Sequence, residues 1–366
     1  MLSSGMLRLI LKGGLILLAF AESSLGVAPL PDDPLEMVTS QVQPVAVLDR
    51  QATLLRLRRT RENYALRTAG RAYDLKVSFT VNSGGQTKYD GAWKMEDVFD
   101  PNRGFRWTAN ASDAYAITRI SSGGMLYGEQ TADDIPLRLQ EARAALFDPI
   151  PSAESLTRAS IRTSTVSFRG AQLTCILLSG PGNAAAGEGG RRWDETEECF
   201  DPQSGLLQLH SQVPGRYFAY DYSNAPQLAG RVLPRRVTVT EAGKTITEIS
   251  VDSLTELSAA DPSLFVPTAE MKARGRPIAM GGAQKVWRAS ERLPLPPGAN
   301  ARTICVFGLV TASGQLVEAH SLQPSDPNSQ AALEAAQKIN FSRAPRLRAH
   351  PQQYFVFVIR RFVSSP

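Results

Sequence analysis

Between Tyr73 and Val81 every second residue is apolar: Tyr73, Leu75, Val77, Phe79 and Val81 alternate with polar positions, and the alternation resumes at Tyr89, Gly91, Trp93 and Met95. A period of two on both sides of Gly84-Gly85 predicts a β-hairpin with one apolar and one wet face. Such a hairpin does not hold its apolar face alone, so the chain must supply more sheet and a cover for it. Similar short runs recur at 104–108, 114–120, 124–127, 159–169, 172–178, 206–213, 217–222, 232–240 and 246–254, divided by turn-forming residues. About eleven short strands with turn signals between them predict an antiparallel unit.

Two stretches break that period. From Val47 to Leu66 the apolar positions Leu48, Leu54, Leu55, Leu57 and Tyr64 fall at helical spacing, with Arg56, Arg58, Arg59 and Arg61 on the polar side. A basic amphipathic helix either sits on an anionic membrane surface or lies on its own domain with solvated arginines, and the second is expected here. Ile135, Leu139, Ala142 and Leu146 form the second helical stripe, with Asp134 as candidate cap and Pro136 in the first turn. Residues 45–267 thus read as one antiparallel β domain with two packed helices. Residues 268–300, rich in proline and glycine, read as a linker. In 301–366, Thr303–Thr311 and Leu316–Leu322 predict a hairpin, Asn328 caps an alanine-rich helix, and Tyr354–Ile359 is an apolar strand. The fold class is α+β, mostly β, with a small β-β-α-β domain at the C-terminal end.

The first residues add a compartment. Arg8 and Lys12 precede an apolar run that ends in Ala19-Phe20-Ala21, with a second small-x-small triplet at Ser24-Leu25-Gly26. That layout is a secretory signal peptide, residues 1–26, and the run is about half of the roughly 20 residues a membrane span requires. An uncleaved membrane anchor is the alternative. A net charge of +5 in 366 residues is mild. It tolerates an anionic lipid partner and gives no argument for nucleic acid.

In an exported chain, Cys175 and Cys199, on two expected strands either side of a Gly-rich loop, point to a cross-strand disulfide. A metal site is the alternative, but the chain has three histidines, His210, His320 and His350, none at ligand spacing. Neither a metal nor a cofactor is expected. Cys305 reads as a small buried hydrophobe. In the Gly-rich loop, Gly182 and Gly187 have phosphate-loop spacing, but Glu188 stands where a lysine is required. Asp194, Glu195, Glu197, Glu198 and Asp201 cluster on one strand and are expected to be a solvated face, with acid/base chemistry as the alternative. No nucleophile motif or metal-spaced histidine pair occurs, so an enzyme is not expected.

Two resemblances sharpen the picture. Residues 306–310, 313–317 and 330–341, closing on an aromatic strand, resemble the C-terminal domain of TonB-family energy transducers. The resemblance implies that the last strand, with Tyr354, Phe355, Val356, Phe357 and Val358, pairs with the edge of an envelope partner. The expected linker is too short to cross a periplasm, which points to a binding module; an anchored transducer is the alternative. The basic helix, the antiparallel meander, Gly243–Ile249 and Asp261–Pro267 resemble the LolA-type lipoprotein-carrier half-barrel. That resemblance implies a curved sheet whose concave face, lined by Val77, Phe79, Trp93, Met95, Trp107 and Tyr115, holds acyl chains. The same residues equally suit a plain core against the two helices. The function expected is therefore that of an exported, periplasmic, non-enzymatic envelope protein that binds a lipid, a lipoprotein or a protein partner. A scaffold without a ligand is a further alternative.

Overall fold

A computed structural model describes residues 39–44, 47–132, 135–152, 156, 158–180, 191–192, 194–277, 286–294, 302–311, 313–341 and 354–363. The expected signal peptide, residues 1–26, lies outside them.

The alternating stretch forms β2 (Ala72–Val81) and β3 (Gly91–Asp100), paired antiparallel from Tyr73–Phe99 to Val81–Gly91. Tyr73, Leu75, Val77, Phe79 and Val81 are buried, while Lys76 and Thr80 between them are exposed. The meander continues through β4 (Gly104–Ala111), β5 (Tyr115–Ser122) and β6 (Met125–Gln130). Gly104 starts β4 at φ +108°, and a Cβ there would stand 1.9 Å from the carbonyl oxygen of Ser121 on β5, so only glycine fits.

A second series comprises β7 (Ser160–Phe168), β8 (Ala171–Ser179), β9 (Thr196–Phe200), β10 (Leu207–Val213), β11 (Arg216–Asp221), β14 (Arg236–Glu241) and β15 (Lys244–Leu257). The ladder between β15 and β2 joins the two series. With β1 (Thr39–Pro44) on β7 and β16 (Arg276–Pro277) on β6, they make one curved, fully antiparallel sheet of fourteen described strands. The short strands β12 (Gln227–Leu228) and β13 (Arg231–Val232) pair separately.

Helices α1 (Val47–Tyr64) and α2 (Leu137–Phe147) cover the inner face of that sheet. Leu57, Thr60 and Tyr64 of α1 are buried at i, i+3 and i+7, and Leu139, Ala142 and Leu146 of α2 do the same. All but Thr60 join one core cluster with the inner side chains of both strand series. The opposite face of β7–β11 carries its own buried cluster around Phe168, Leu173, Leu209 and Tyr217. Pro136 occupies the N-cap of α2 and makes no side-chain cap; Asp134, the expected cap, lies outside the described residues.

The expected linker is only partly a linker. The short helix α3 (Ala269–Ala273) buries Met271 beside Val98, Ile120 and Phe265, and β16 extends the large sheet. Further on, β17 (Val286–Pro294) belongs to the C-terminal sheet. That sheet also contains β18 (Arg302–Val310), β19 (Leu316–Ser321) and β20 (Tyr354–Val363), in the order β17-β20-β18-β19. Helix α4 (Ser329–Gln337) packs Ala332 and Ala336 against Ile304, Val306 and Val310. The β-β-α-β order of β18, β19, α4 and β20 is as the sequence predicts. β17 is an addition, paired in parallel with β20.

Candidate functional site

The six residues expected to line a concave lipid site lie together on the inner face. Val77, Phe79, Trp93, Met95, Trp107 and Tyr115 are all at most 5% exposed. Phe79 stacks on Trp93 at 5.4 Å, and Tyr115 packs against Trp93 at 5.9 Å and edge-on to Tyr89 at 5.9 Å. The Trp93 indole donates to the carbonyl of Tyr89 at 3.0 Å. Aromatic contacts of this geometry, with α1 and α2 above them, make these residues core side chains in the state described.

The acidic strand corrects its expectation. Glu195, Glu197 and Glu198 are buried, not solvated. An arginine of β7 and two arginines just before β9 pair with Glu195 and Glu197. Arg162 donates from Nε and Nη2 to Glu195 at 2.7 and 2.6 Å, and Arg192 approaches the same carboxylate at 3.1 Å. Arg191 donates to Glu197 at 2.9 Å. Glu198 faces inward, where one carboxylate oxygen lies 2.9 Å from Nδ1 of His210 and the other has no hydrogen-bond partner among the described residues. Burial pushes the Glu198 carboxyl up, against the opposing pull of His210. Sequence reasoning missed these pairings because the basic partners of Glu195 and Glu198 come from other strands or from the end of the loop. On the outer face, Cys175 and Cys199 sit directly opposite each other on β8 and β9 and form the expected disulfide.

An opening lined by both apolar and basic side chains lies beside α1. A cleft of about 720 Å³ separates the exposed flank of α1 from β7 and β8. Ala52, Leu55 and Ile176 give it apolar surface, Thr174 adds a hydroxyl, and Arg56 and Arg59 stand along it. Leu55, expected on the apolar stripe of the helix, is instead 44% exposed along this cleft. Arg56 and Arg59 have no ion pair among the described residues, whereas Arg61 of the same helix is taken by Asp148 at 2.6 Å and by the carbonyl of Ile150. Thr60 donates to the carbonyl of Gly205 at 3.2 Å and ties the helix to the turn before β10. The arginine pattern of α1 was legible in the sequence; the strand face that turns it into a cleft was not.

A second polar centre lies where the C-terminal unit meets the half-barrel. Arg138 of α2 donates to Glu241 at 2.7 and 3.2 Å, lies 3.2 Å from Glu141, and pairs with Glu318 of β19. Arg216 donates to Glu241 at 2.7 Å and pairs with Glu141 and Gln212. Phe307 of β18 covers both guanidiniums, at 5.2 and 4.6 Å from its ring centre. Glu241, Glu318 and His320 bring oxygen and nitrogen atoms within 4.8 Å of one another, but the two guanidiniums already supply the positive charge there. The group is an ion network. The alternative of two carboxylates poised for acid/base chemistry does not fit it, because Arg138 bridges Glu241 and Glu318.

The strand expected to add to a partner is corrected as well. Tyr354, Phe355, Val356, Phe357 and Val358 lie on β20, which is hydrogen-bonded to β18 on one side and to β17 on the other. Both of its edges are used inside the sheet. The outer strands of that sheet are β17 and β19. The backbone N–H of Ala319 on β19 donates to Gln86 of the β2–β3 turn at 3.1 Å.

Among the described residues no helix is long and apolar enough to cross a membrane. No family model matches the chain. No curated protein matches it either. Among solved structures, a putative outer membrane lipoprotein-sorting protein domain from Vibrio parahaemolyticus is similar at 10% identity and a TM-score of 0.36, over 59% of this chain and 97% of that one. A LolA superfamily protein from Nitrosomonas europaea is similar at 11% identity and a TM-score of 0.34, over 58% and 96% of the two chains. LprF from Mycobacterium bovis is similar at 11% identity and a TM-score of 0.23, over 60% and 99%.

Proposed function

We propose that this chain is an exported, non-enzymatic protein of the cell envelope that binds an anionic amphiphile, a lipid or the lipidated end of a protein, in the cleft beside α1. The observation that carries this reading is the chemistry of that cleft. Apolar surface at Ala52, Leu55 and Ile176 suits an acyl chain, and Arg56 and Arg59, without an ion pair among the described residues, suit an anionic headgroup. Signal-like residues 1–26 support export. The C-terminal unit, similar in sequence to TonB-type domains, then serves to dock a protein partner. With β20 enclosed, β17 is the strand to which a partner strand would add. The scaffold reading is favoured by one specific observation, the aromatic inner face already filled by its own helices.

Native mass spectrometry on protein purified from the envelope fraction, expressed from the full-length gene, tests this. The expected result is a mature mass beginning near Glu22 or Val27 with a lipid adduct that leaves on denaturation. Ala52→Trp, which fills the cleft from an exposed position, and the double variant Arg56→Glu/Arg59→Glu should each lose the adduct while the protein stays folded. An adduct retained in both variants would move the site elsewhere. A wild-type protein with no adduct would leave the scaffold reading, and an intact N-terminus would favour an anchored transducer.

A further inference from the structure

Helix α2 points a second arginine at the sheet, Arg143, five residues after Arg138. Its guanidinium lies 5.2 Å from the ring centre of Trp107 on β4 and 5.3 Å from that of Phe147. Positions i and i+4 share a helix face, so Phe147 meets this side chain from the helix and Trp107 meets it from the sheet. Nε of Arg143 is buried and, among the described residues, it has no hydrogen-bond partner and the guanidinium has no ion pair. The indole N–H of Trp107 is likewise buried without an acceptor among them. Arg67, in the helical turn before β2, stacks on Phe105 at 3.7 Å, and its own Nε is a third buried N–H in the same position.

The carboxylates whose charge reaches Arg143 are engaged elsewhere. Asp97 accepts from Nη2 of Arg67 at 2.5 Å and from the Tyr73 hydroxyl at 2.7 Å. Asp148 is paired with Arg61 at 2.6 Å. Burial, and then the charge of Arg67, lower the Arg143 guanidinium from its ordinary value, and Asp97 and Asp148 oppose this only in part. The rings of Trp107 and Phe147 offset some of the cost of burying the charge, but they do not replace an in-plane acceptor for its N–H groups. Arg119 of β5, directly opposite Trp107, is held by Gln130 and stays outside the group. A guanidinium packed against two rings keeps its N–H edge for hydrogen bonds, and that edge matches the paired oxygens of a carboxylate or phosphate.

We propose that Arg143, Trp107 and Arg67 form a binding site for a singly charged oxyanion carried on an apolar group, the carboxylate or phosphate-ester end of an amphiphile. The single charge matches the guanidinium of Arg143. The apolar group follows from the partly buried rings of Phe99, Phe105 and Phe147 that surround it. An oxyanion there accepts from donors that stacking alone leaves unmet, and three such donors together are costly without an acceptor. The site does not depend on the cleft beside α1, which no residue of α2 or β4 lines.

Two-dimensional NMR of the indole N–H groups in the full chain tests this, with Trp107→Phe assigning its resonance among the four tryptophans. The titrations use the Arg56→Glu/Arg59→Glu background, so that the cleft beside α1 cannot supply the effect. Decanoate should shift the Trp107 resonance saturably, and decanol and inorganic phosphate should each bind at least about tenfold more weakly. Arg143→Met keeps an unbranched stem on the rings without the charge and should weaken decanoate by about ten- to a hundredfold. Arg143→Lys keeps the charge without the fork and should fall between Arg143→Met and the parent. Decanol as effective as decanoate would overturn the anion site, and phosphate as effective would overturn the amphiphile. A Trp107 resonance that decanoate leaves in place, or an affinity unchanged in Arg143→Met, would reduce Arg143 to a stacking contact. If Arg143→Met does not fold, the loss in Arg143→Lys decides, and an unchanged affinity there sinks the proposal.

Discussion

Glu198 shows how a single buried side chain couples this fold to pH. Its carboxylate faces the core with His210 on one oxygen and, among the described residues, no hydrogen-bond partner on the other, and burial raises its pKa. A raised carboxyl stabilises the folded state at low pH, and that stabilisation is lost as pH rises through the raised value. Glutamine keeps an acceptor for His210 without the charge. We expect Glu198→Gln to be neutral near pH 5 and more stable than wild type by about 1 kcal/mol near pH 8, read by urea unfolding at the two pH values. The acids of β9 also mark the limit of what residue patterns reveal. Their spacing suggested a wet face, because strand alternation shows only that a face is distinct, not what covers it. Arg162 reaches Glu195 across a separation of 33 residues, and only the folded strand turns the nearer Arg191 and Arg192 onto Glu197 and Glu195.

Elements whose partners are near in sequence were the legible ones. The hairpin of β2 and β3, the meander behind it and both long helices follow directly from periods of two and 3.6. The disulfide was legible because both cysteines sit in short strands around one loop. It closes a separation of 24 residues, so Cys175→Ala/Cys199→Ala should lose about 3 kcal/mol in denaturant unfolding. β17 was not legible. Trp287, Arg288, Glu291 and Arg292 among prolines resemble a linker, and the strand exists because β20 offers it a parallel edge from far along the chain. That pairing also encloses Tyr354–Val358, which sequence alone presented as a free strand.

For the whole molecule, the junction of the two units decides how independently they behave. Phe307 lies over Arg138 and Arg216 and packs with Leu137 and Val213 of the half-barrel. Phe307→Ala should cost about 3–5 kcal/mol at this junction. Differential scanning calorimetry near pH 6 should then show the C-terminal unit melting ahead of the half-barrel, where the wild type melts as one. The junction was invisible in the sequence, since its charges come from α2, β11, β14 and β19.

The ladder between β2 and β15 has a consequence for how the chain is made. β2 pairs with β3 at once, but its other edge waits for β15, which is synthesised last of all the half-barrel's long strands. Until then Leu75, Val77 and Phe79 stand on a strand with one row of backbone groups unpaired, a template for any other extended chain. Contacts this distant in sequence close slowly, so refolding from denaturant should be sluggish and limited by aggregation at high protein concentration. In a cell, a holdase that shields this edge would govern the yield of native protein.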